Sequence, residues 1–268
     1  MVKKKVQNMK AKIFLAIVIL LSSCAVSREQ VSTQKEEQPV PAQGRPTQEQ
    51  IERRINEMFR TDFAGMRRFR EENALIKPPA SGDHRIVFMG NSITELWKTV
   101  DSTFFTKNRS FINRGIGGQT TPQMLIRFRN DVINLQPSAV VILAGTNDIA
   151  ANTGPSPLED IYGNVISMAE LAAANNIDVV LCSVLPVFDY PWRPGLEPAE
   201  KIIKLNTMLQ NYAARRGLIY VDYHTPMADD RNGLNKEFSE DGVHPNLNGY
   251  KVMEELVLGA ISEILKSR

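Results

Sequence analysis

The sequence predicts an α/β fold: a five-stranded parallel sheet with helices on both faces. Three observations lead there. Five short apolar runs are each closed by glycine, proline or a polar residue; the runs are apolar at successive positions rather than alternating; and the connections between them are of helix length, not hairpin turns. A strand apolar on both faces has to be covered on both faces, and a helical crossover is what joins parallel neighbours. The runs are 85–89 (RIVFM), closed by Gly90; 110–113 (SFIN), ending at Gly115; 139–143 (AVVIL), closed by Ala144-Gly145; 178–184 (DVVLCSV), closed by Pro186; and 218–221 (LIYV), closed by Asp222. Helical segments are expected at 121–135, 157–175, 200–216 and 246–266. Cys182 falls inside the fourth run, where a small buried hydrophobe is expected.

The 268 residues are 43% hydrophobic and 23% charged, an ordinary globular composition that excludes a coiled coil, a collagen-like chain or a wholly disordered one. Two cysteines make no disulfide scaffold, and they lack the C-x-x-C spacing of a structural zinc site. Residues 1–23 read as an export signal: Lys3, Lys4, Lys5, Lys10 and Lys12 precede the apolar run IFLAIVILL, which is too short to span a bilayer. Leu21-Ser22-Ser23-Cys24 resembles the bacterial lipoprotein cleavage box. That resemblance implies a lipidated Cys24 and a chain held in the bacterial cell envelope by several acyl groups, enough for stable anchoring. Five of the 32 basic residues precede Cys24, leaving 27 against 30 acidic ones, a formal charge of −3 that gives no support to a nucleic-acid partner.

Residues 24–46 are polar with almost nothing to bury, as expected of a flexible tether. Residues 47–80 open on Thr47-Gln48-Glu49-Gln50, which fits a capping box. Ile51, Ile55, Met58, Phe59, Phe63, Met66 and Phe69 then make a helical stripe expected to pack on the main domain, 81–268.

In an open α/β sheet, ligands bind beyond the carboxyl ends of the strands, so the polar residues just after each run carry the chemistry. These are Gly90-Asn91-Ser92-Ile93-Thr94, Gly115-Ile116-Gly117-Gly118-Gln119-Thr120 and Gly145-Thr146-Asn147-Asp148, with Asp241-Gly242-Val243-His244-Pro245 before the last helix. A serine hydroxyl is a poor nucleophile until a base takes its proton, and His244 is the best placed of three histidines to do so. Asp241, three residues earlier, is near enough to hold the other ring nitrogen. Ser92, Asp241 and His244 are therefore the candidate triad. Candidate oxyanion donors are the Ser92 N–H at a helix N-terminus, the Gly118 N–H in a glycine turn and the Asn147 amide. Singly, Ser92 reads as a helix cap, Gly117-Gly118 as a plain turn and Asn147 as an Asx-turn residue. Their joint placement at strand ends favours catalysis. His84 and His224 read as ordinary loop histidines.

The four blocks together resemble the SGNH (GDSL-like) hydrolase superfamily over roughly Arg85 to the C-terminus. Within it they look most like the branch related to platelet-activating-factor acetylhydrolase and carbohydrate acetylesterases. The resemblance places the nucleophile on Ser92, the oxyanion glycine on Gly118, the oxyanion asparagine on Asn147 and the D-x-x-H pair on Asp241 and His244. It implies a flavodoxin-like three-layer α/β/α sandwich, hydrolysis of small acyl esters, and neither a metal nor a cofactor. The family's usual Gly-Asp-Ser is Gly90-Asn91-Ser92 here, a tuning change, since that position is not the proton acceptor. The G-x-S-x-G of α/β-hydrolases is absent.

After the fourth run, residues 188–195 (FDYPWRPG) are expected to rim the site. Tyr190 and Trp192 suit sugar rings and Arg193 suits a carboxylate or phosphate, so these three and Asn91 are the candidate substrate contacts. An acetylated glycan or other small acyl ester is the expected substrate. Two alternatives remain: an O-acyltransferase working through the same acyl-enzyme, separable by acetate release against transfer to an acceptor sugar, and a non-catalytic glycan-binding protein, which would turn over no activated ester.

Overall fold

The computed structural model describes residues 53, 56, 57 and 59–266, so the leader, the tether and Cys24 lie outside the described residues. The chain divides into two compact units, 1–61 and 62–268. In the first, the described residues through Thr61 are helical. In the second, Asp62 uses its carboxylate on the N–H groups of Met66 (2.7 Å) and Arg67 (3.0 Å), a turn that competes with helix. The continuous helical stripe expected through Phe69 is interrupted there, and helix resumes only as α1, Arg70–Leu75.

The five expected strands all form: β1 (Ile86–Gly90), β2 (Phe111–Gly115), β3 (Ala139–Leu143), β4 (Asp178–Cys182) and β5 (Ile219–Val221). They make one sheet of order β2-β1-β3-β4-β5, parallel throughout, with Gly90 in register with both Gly115 and Leu143. This is the flavodoxin-like order, with its switch point beside β1. The connections are α2 (Ser92–Val100), α3 (Ser102–Lys107), α4 (Thr121–Asp131), α5 (Thr146–Ile149), α6 (Leu158–Ala173), α7 (Pro198–Arg216), α8 (His224–Met227) and α9 (Leu247–Lys266). The helix expected over 121–135 ends at Asp131, and a separate 3₁₀ turn covers Ile133–Leu135.

Successive residues of a strand face opposite layers. Ile86, Phe88, Val141 and Val180 join a core with Ile93 and Trp97 of α2, Phe104 and Phe105 of α3, and Tyr250, Met253 and Val257 of α9. Val87, Met89, Val140 and Ile142 are buried on the other face, where α4, α6 and α7 pack in sequence. Trp97 stacks on Phe104 and Tyr250 with ring centroids 4.8 and 5.2 Å apart. Cys182 is buried as a small hydrophobe, and burial pushes its thiol up to about 12. Among the described residues no helix is long and apolar enough to cross a membrane.

Candidate active site

Ser92 is the first residue of α2. Asn91, the residue before it, caps the helix: its Oδ1 accepts the Ile93 N–H at 3.0 Å. That cap does not use the Ser92 N–H, which points out of the helix N-terminus where negative charge is favoured. From the other end of the chain, the loop before α9 brings His244 to it. Ser92 Oγ lies 3.0 Å from His244 Nε2, and His244 Nδ1 lies 2.7 Å from Asp241 Oδ2. The Nδ1–H tautomer satisfies both contacts, leaving Nε2 free to accept the serine proton.

Asp241 is held firmly. Its Oδ1 accepts the backbone N–H groups of His244 (2.7 Å) and Val243 (2.9 Å), and the Ser239 hydroxyl braces the same loop on the His244 carbonyl at 2.8 Å. Burial alone would raise the Asp241 carboxyl. The hydrogen bond and charge of the His244 ring and the two backbone N–H groups outweigh it and hold the carboxyl well below the usual carboxylate range. It therefore stays ionised opposite the imidazole.

Gly118 lies in the turn after β2 with φ +75°, a left-handed backbone that favours glycine. Asn147, buried in α5 after β3, donates from Nδ2 to the Gln119 carbonyl at 2.9 Å. A carboxamide nitrogen has a second hydrogen, which this contact leaves for another acceptor. Ser92, Gly118 and Asn147 thus follow three neighbouring strands, β1, β2 and β3, beside the switch point of the sheet.

The expected substrate contacts fare differently. Tyr190 is fully buried; its hydroxyl donates to the Thr146 carbonyl at 2.8 Å and meets Thr146 Oγ1 at 2.9 Å, so it has no face for a sugar. Arg193 spends Nη1 on the carbonyls of Ala150 (2.9 Å) and Ala151 (2.6 Å), neutral acceptors in place of the expected anion. The Asn91 oxygen is engaged by the helix cap. Trp192 does reach the site, its ring 6.2 Å from the His244 ring at 30°.

Sequence reasoning missed a supporting layer. Asp148 accepts the Thr121 N–H and hydroxyl and so ties the Asn147 loop to the start of α4. Buried Arg127 donates to the Gly90 carbonyl at 3.0 Å and to Gln119 Oε1 at 2.6 Å, joining the Ser92 and Gly118 loops. The only signal for Asp148 was its place beside Asn147, and a helical arginine carried none.

The GDSL-like lipase/acylhydrolase family profile matches residues 88–252. The chain resembles the crystal structure of a GDSL-like lipase from Bacteroides thetaiotaomicron with TM-score 0.74 and 46% identity, over 75% of this chain and 99% of that one. An acetylxylan esterase of Xylanibacter ruminicola is 25% identical over 226 residues, 69% of this chain and 45% of that protein. The lipoprotein YqeF of Bacillus subtilis is 30% identical over 96 residues, 35% of this chain and 40% of that one. The chain thus spans less than half the length of these two curated relatives. By its profile match, by its likeness to a solved member and by its parallel sheet, the chain belongs to the GDSL-like lipase/acylhydrolase family, a family of esterases.

Proposed function

We propose that the chain is a serine esterase that removes small acyl groups, acetyl above all, from carbohydrate esters. The observation that carries this reading is the relay from Ser92 Oγ through the His244 ring to Asp241: a 3.0 Å contact between groups 152 residues apart in the chain, continued by a 2.7 Å contact from the ring to Asp241. Ser92 Oγ attacks the ester carbonyl while His244 Nε2 takes its proton and Asp241 stabilises the imidazolium. The oxyanion accepts from the N–H groups of Ser92 and Gly118 and from the second Asn147 hydrogen. His244 then protonates the leaving sugar oxygen, and a water activated by the same ring releases acetate. The Trp192 ring beside His244 offers a flat apolar wall to the leaving group. Likeness to an acetylxylan esterase supports the acetyl and glycan assignment.

Ser92→Ala is expected to abolish turnover of an aryl acetate, and Asn147→Ala to lower kcat by about 10² to 10³. Near-parental turnover by purified Ser92→Ala protein would remove the nucleophile from this scheme. Acetyl, butyryl and longer aryl esters, followed by acetylated xylan and acetylated sialic acids, rank acyl length and glycan; a preference for long chains would overturn the acetyl assignment. The proposal extends to a lipid anchor on Cys24, supported by the Leu21-Ser22-Ser23-Cys24 box. Cys24→Ser is expected to release the protein from membranes, and retention would refute the anchor.

A further inference from the structure

We infer that Asn152 is a positioning residue for the oxyanion site, its carboxamide fixing the Asn147 amide and the Gly118 loop in one arrangement. This rests on the reading that Asn147 and Gly118 stabilise an oxyanion. Asn152 Nδ2 donates to Asn147 Oδ1 at 3.0 Å and to the Gly118 carbonyl at 3.3 Å, using both of its hydrogens. The Asn152 backbone N–H also donates to the Asn147 carbonyl at 2.9 Å.

The consequence for Asn147 is directional. Its Nδ2 donates to the Gln119 carbonyl and its Oδ1 accepts from Asn152. Rotated by half a turn, the Asn147 amide would set oxygen against the Gln119 carbonyl and hydrogens against the hydrogens of Asn152. Only one orientation satisfies both neighbours, and in it the remaining N–H is aimed away from Gln119. Without Asn152 that preference rests on a single contact.

The turn that presents Asn152 bears marks of a functional constraint. Ala151 adopts φ +54°, a conformation L side chains rarely take, and the Arg193 guanidinium holds it through the Ala150 and Ala151 carbonyls. Asn152 Oδ1 is buried with no hydrogen-bond partner among the described residues. A buried acceptor left unpaired is costly, yet here it accompanies a side chain whose donors both serve the proposed oxyanion groups. Arg193 thereby acts at one remove, through the turn.

The test is a double-mutant cycle on an aryl acetate. Asn152→Ala is expected to lower kcat roughly tenfold to a hundredfold, with KM moving less than about twofold. In an Asn147→Ala background the same change is expected to cost less than about twofold, because the group it orients is gone. Asn152→Asp, isosteric and a guard against misfolding of the alanine variant, sets a carboxylate against two oxygen acceptors; its kcat is expected to fall further as pH rises through the carboxyl titration. Equal losses from Asn152→Ala in both backgrounds, or a kcat within twofold of the parent, overturn the positioning role. A parental kcat for Asn147→Ala alone would instead strike the oxyanion reading itself.

Discussion

Two carboxylates near the site are pushed in opposite directions, and their effects on stability separate by pH. Asp148 is buried, which raises its carboxyl to about 6 against the opposing hydrogen bonds of Thr121. With the folded-state value above the unfolded one, the folded protein holds this proton more tightly, so stability falls as pH rises from about 4 to about 6 and then levels. A shift of this size corresponds to about 3 kcal/mol. Asp241 has the other sign: its folded value is depressed, so its contribution is complete above the ordinary carboxylate range and is lost as pH falls below it. Asp148→Asn keeps an acceptor for the Thr121 N–H and removes the titration. Its urea midpoint is expected to gain on the parent's between about pH 4 and about pH 6 and to hold that gain above it. Parallel profiles for the two proteins across that window would show that Asp148 does not titrate there.

At the level of elements, the site depends on how closely α2 lies on β2. A Cβ on Gly115 would stand 2.2 Å from the Glu95 nitrogen, 2.7 Å from the Thr94 carbonyl carbon and 2.8 Å from the Asn91 oxygen, all backbone of the turn that carries Ser92. Gly118 has no atom within 4 Å of such a Cβ and is constrained only by φ +75°. Gly115→Ala is therefore expected to destabilise by about 3 kcal/mol through overpacking, and Gly118→Ala by about 1–2 kcal/mol through left-handed strain alone. Denaturant unfolding of both checks the order, and equal losses would refute this steric account. The strands were legible because a sheet covered on both faces writes continuous apolar runs, and Ser92, Gly118, Asn147 and His244 were legible because they stand where those runs or their crossovers stop. Helix α3 was not: its six residues, STFFTK, are too few for a period, and what fixes them is the Asp101 cap and a core waiting for Phe104 and Phe105. The structural ties of Tyr190 and Arg193 were not legible because the groups that engage them, Thr146 and the Ala150 and Ala151 carbonyls, lie more than forty residues away. Residue type names what a side chain is able to bind, and only the fold decides what reaches it first.

Across the molecule, the stretch from Asp62 to Leu75 lies outside the residues the family profile matches, yet it completes the main domain. Buried Arg114 donates to Asn73 Oδ1 at 3.0 and 2.7 Å and to Glu72 Oε1 at 2.8 Å, and its guanidinium lies 4.5 Å from the Phe69 ring centroid. Asn73 donates in turn to Asp131 at the end of α4. The Gln119 amide, beside Gly118, donates to the Ala64 carbonyl at 2.6 Å, and Gln123 to the Phe63 carbonyl at 2.7 Å. A chain begun at Asp83 keeps every strand and every proposed catalytic group but strips these partners from a buried cation. Losing the two Asn73 hydrogen bonds, the half-exposed Glu72 ion pair and the Phe69 ring that covers the guanidinium removes packing and pairing together, so that chain is expected to unfold at clearly lower urea than one begun at Asp62. Its kcat on an aryl acetate is expected to fall as well, because Gln119 links the Arg127 brace to the loop that carries Gly118. Matching midpoints and matching kcat would mean that the segment before β1 rides on the domain without supporting it. A shared loss would mean that the Gly118 loop is supported from both sides of the first strand, and that the working unit begins near Asp62 rather than at the sheet.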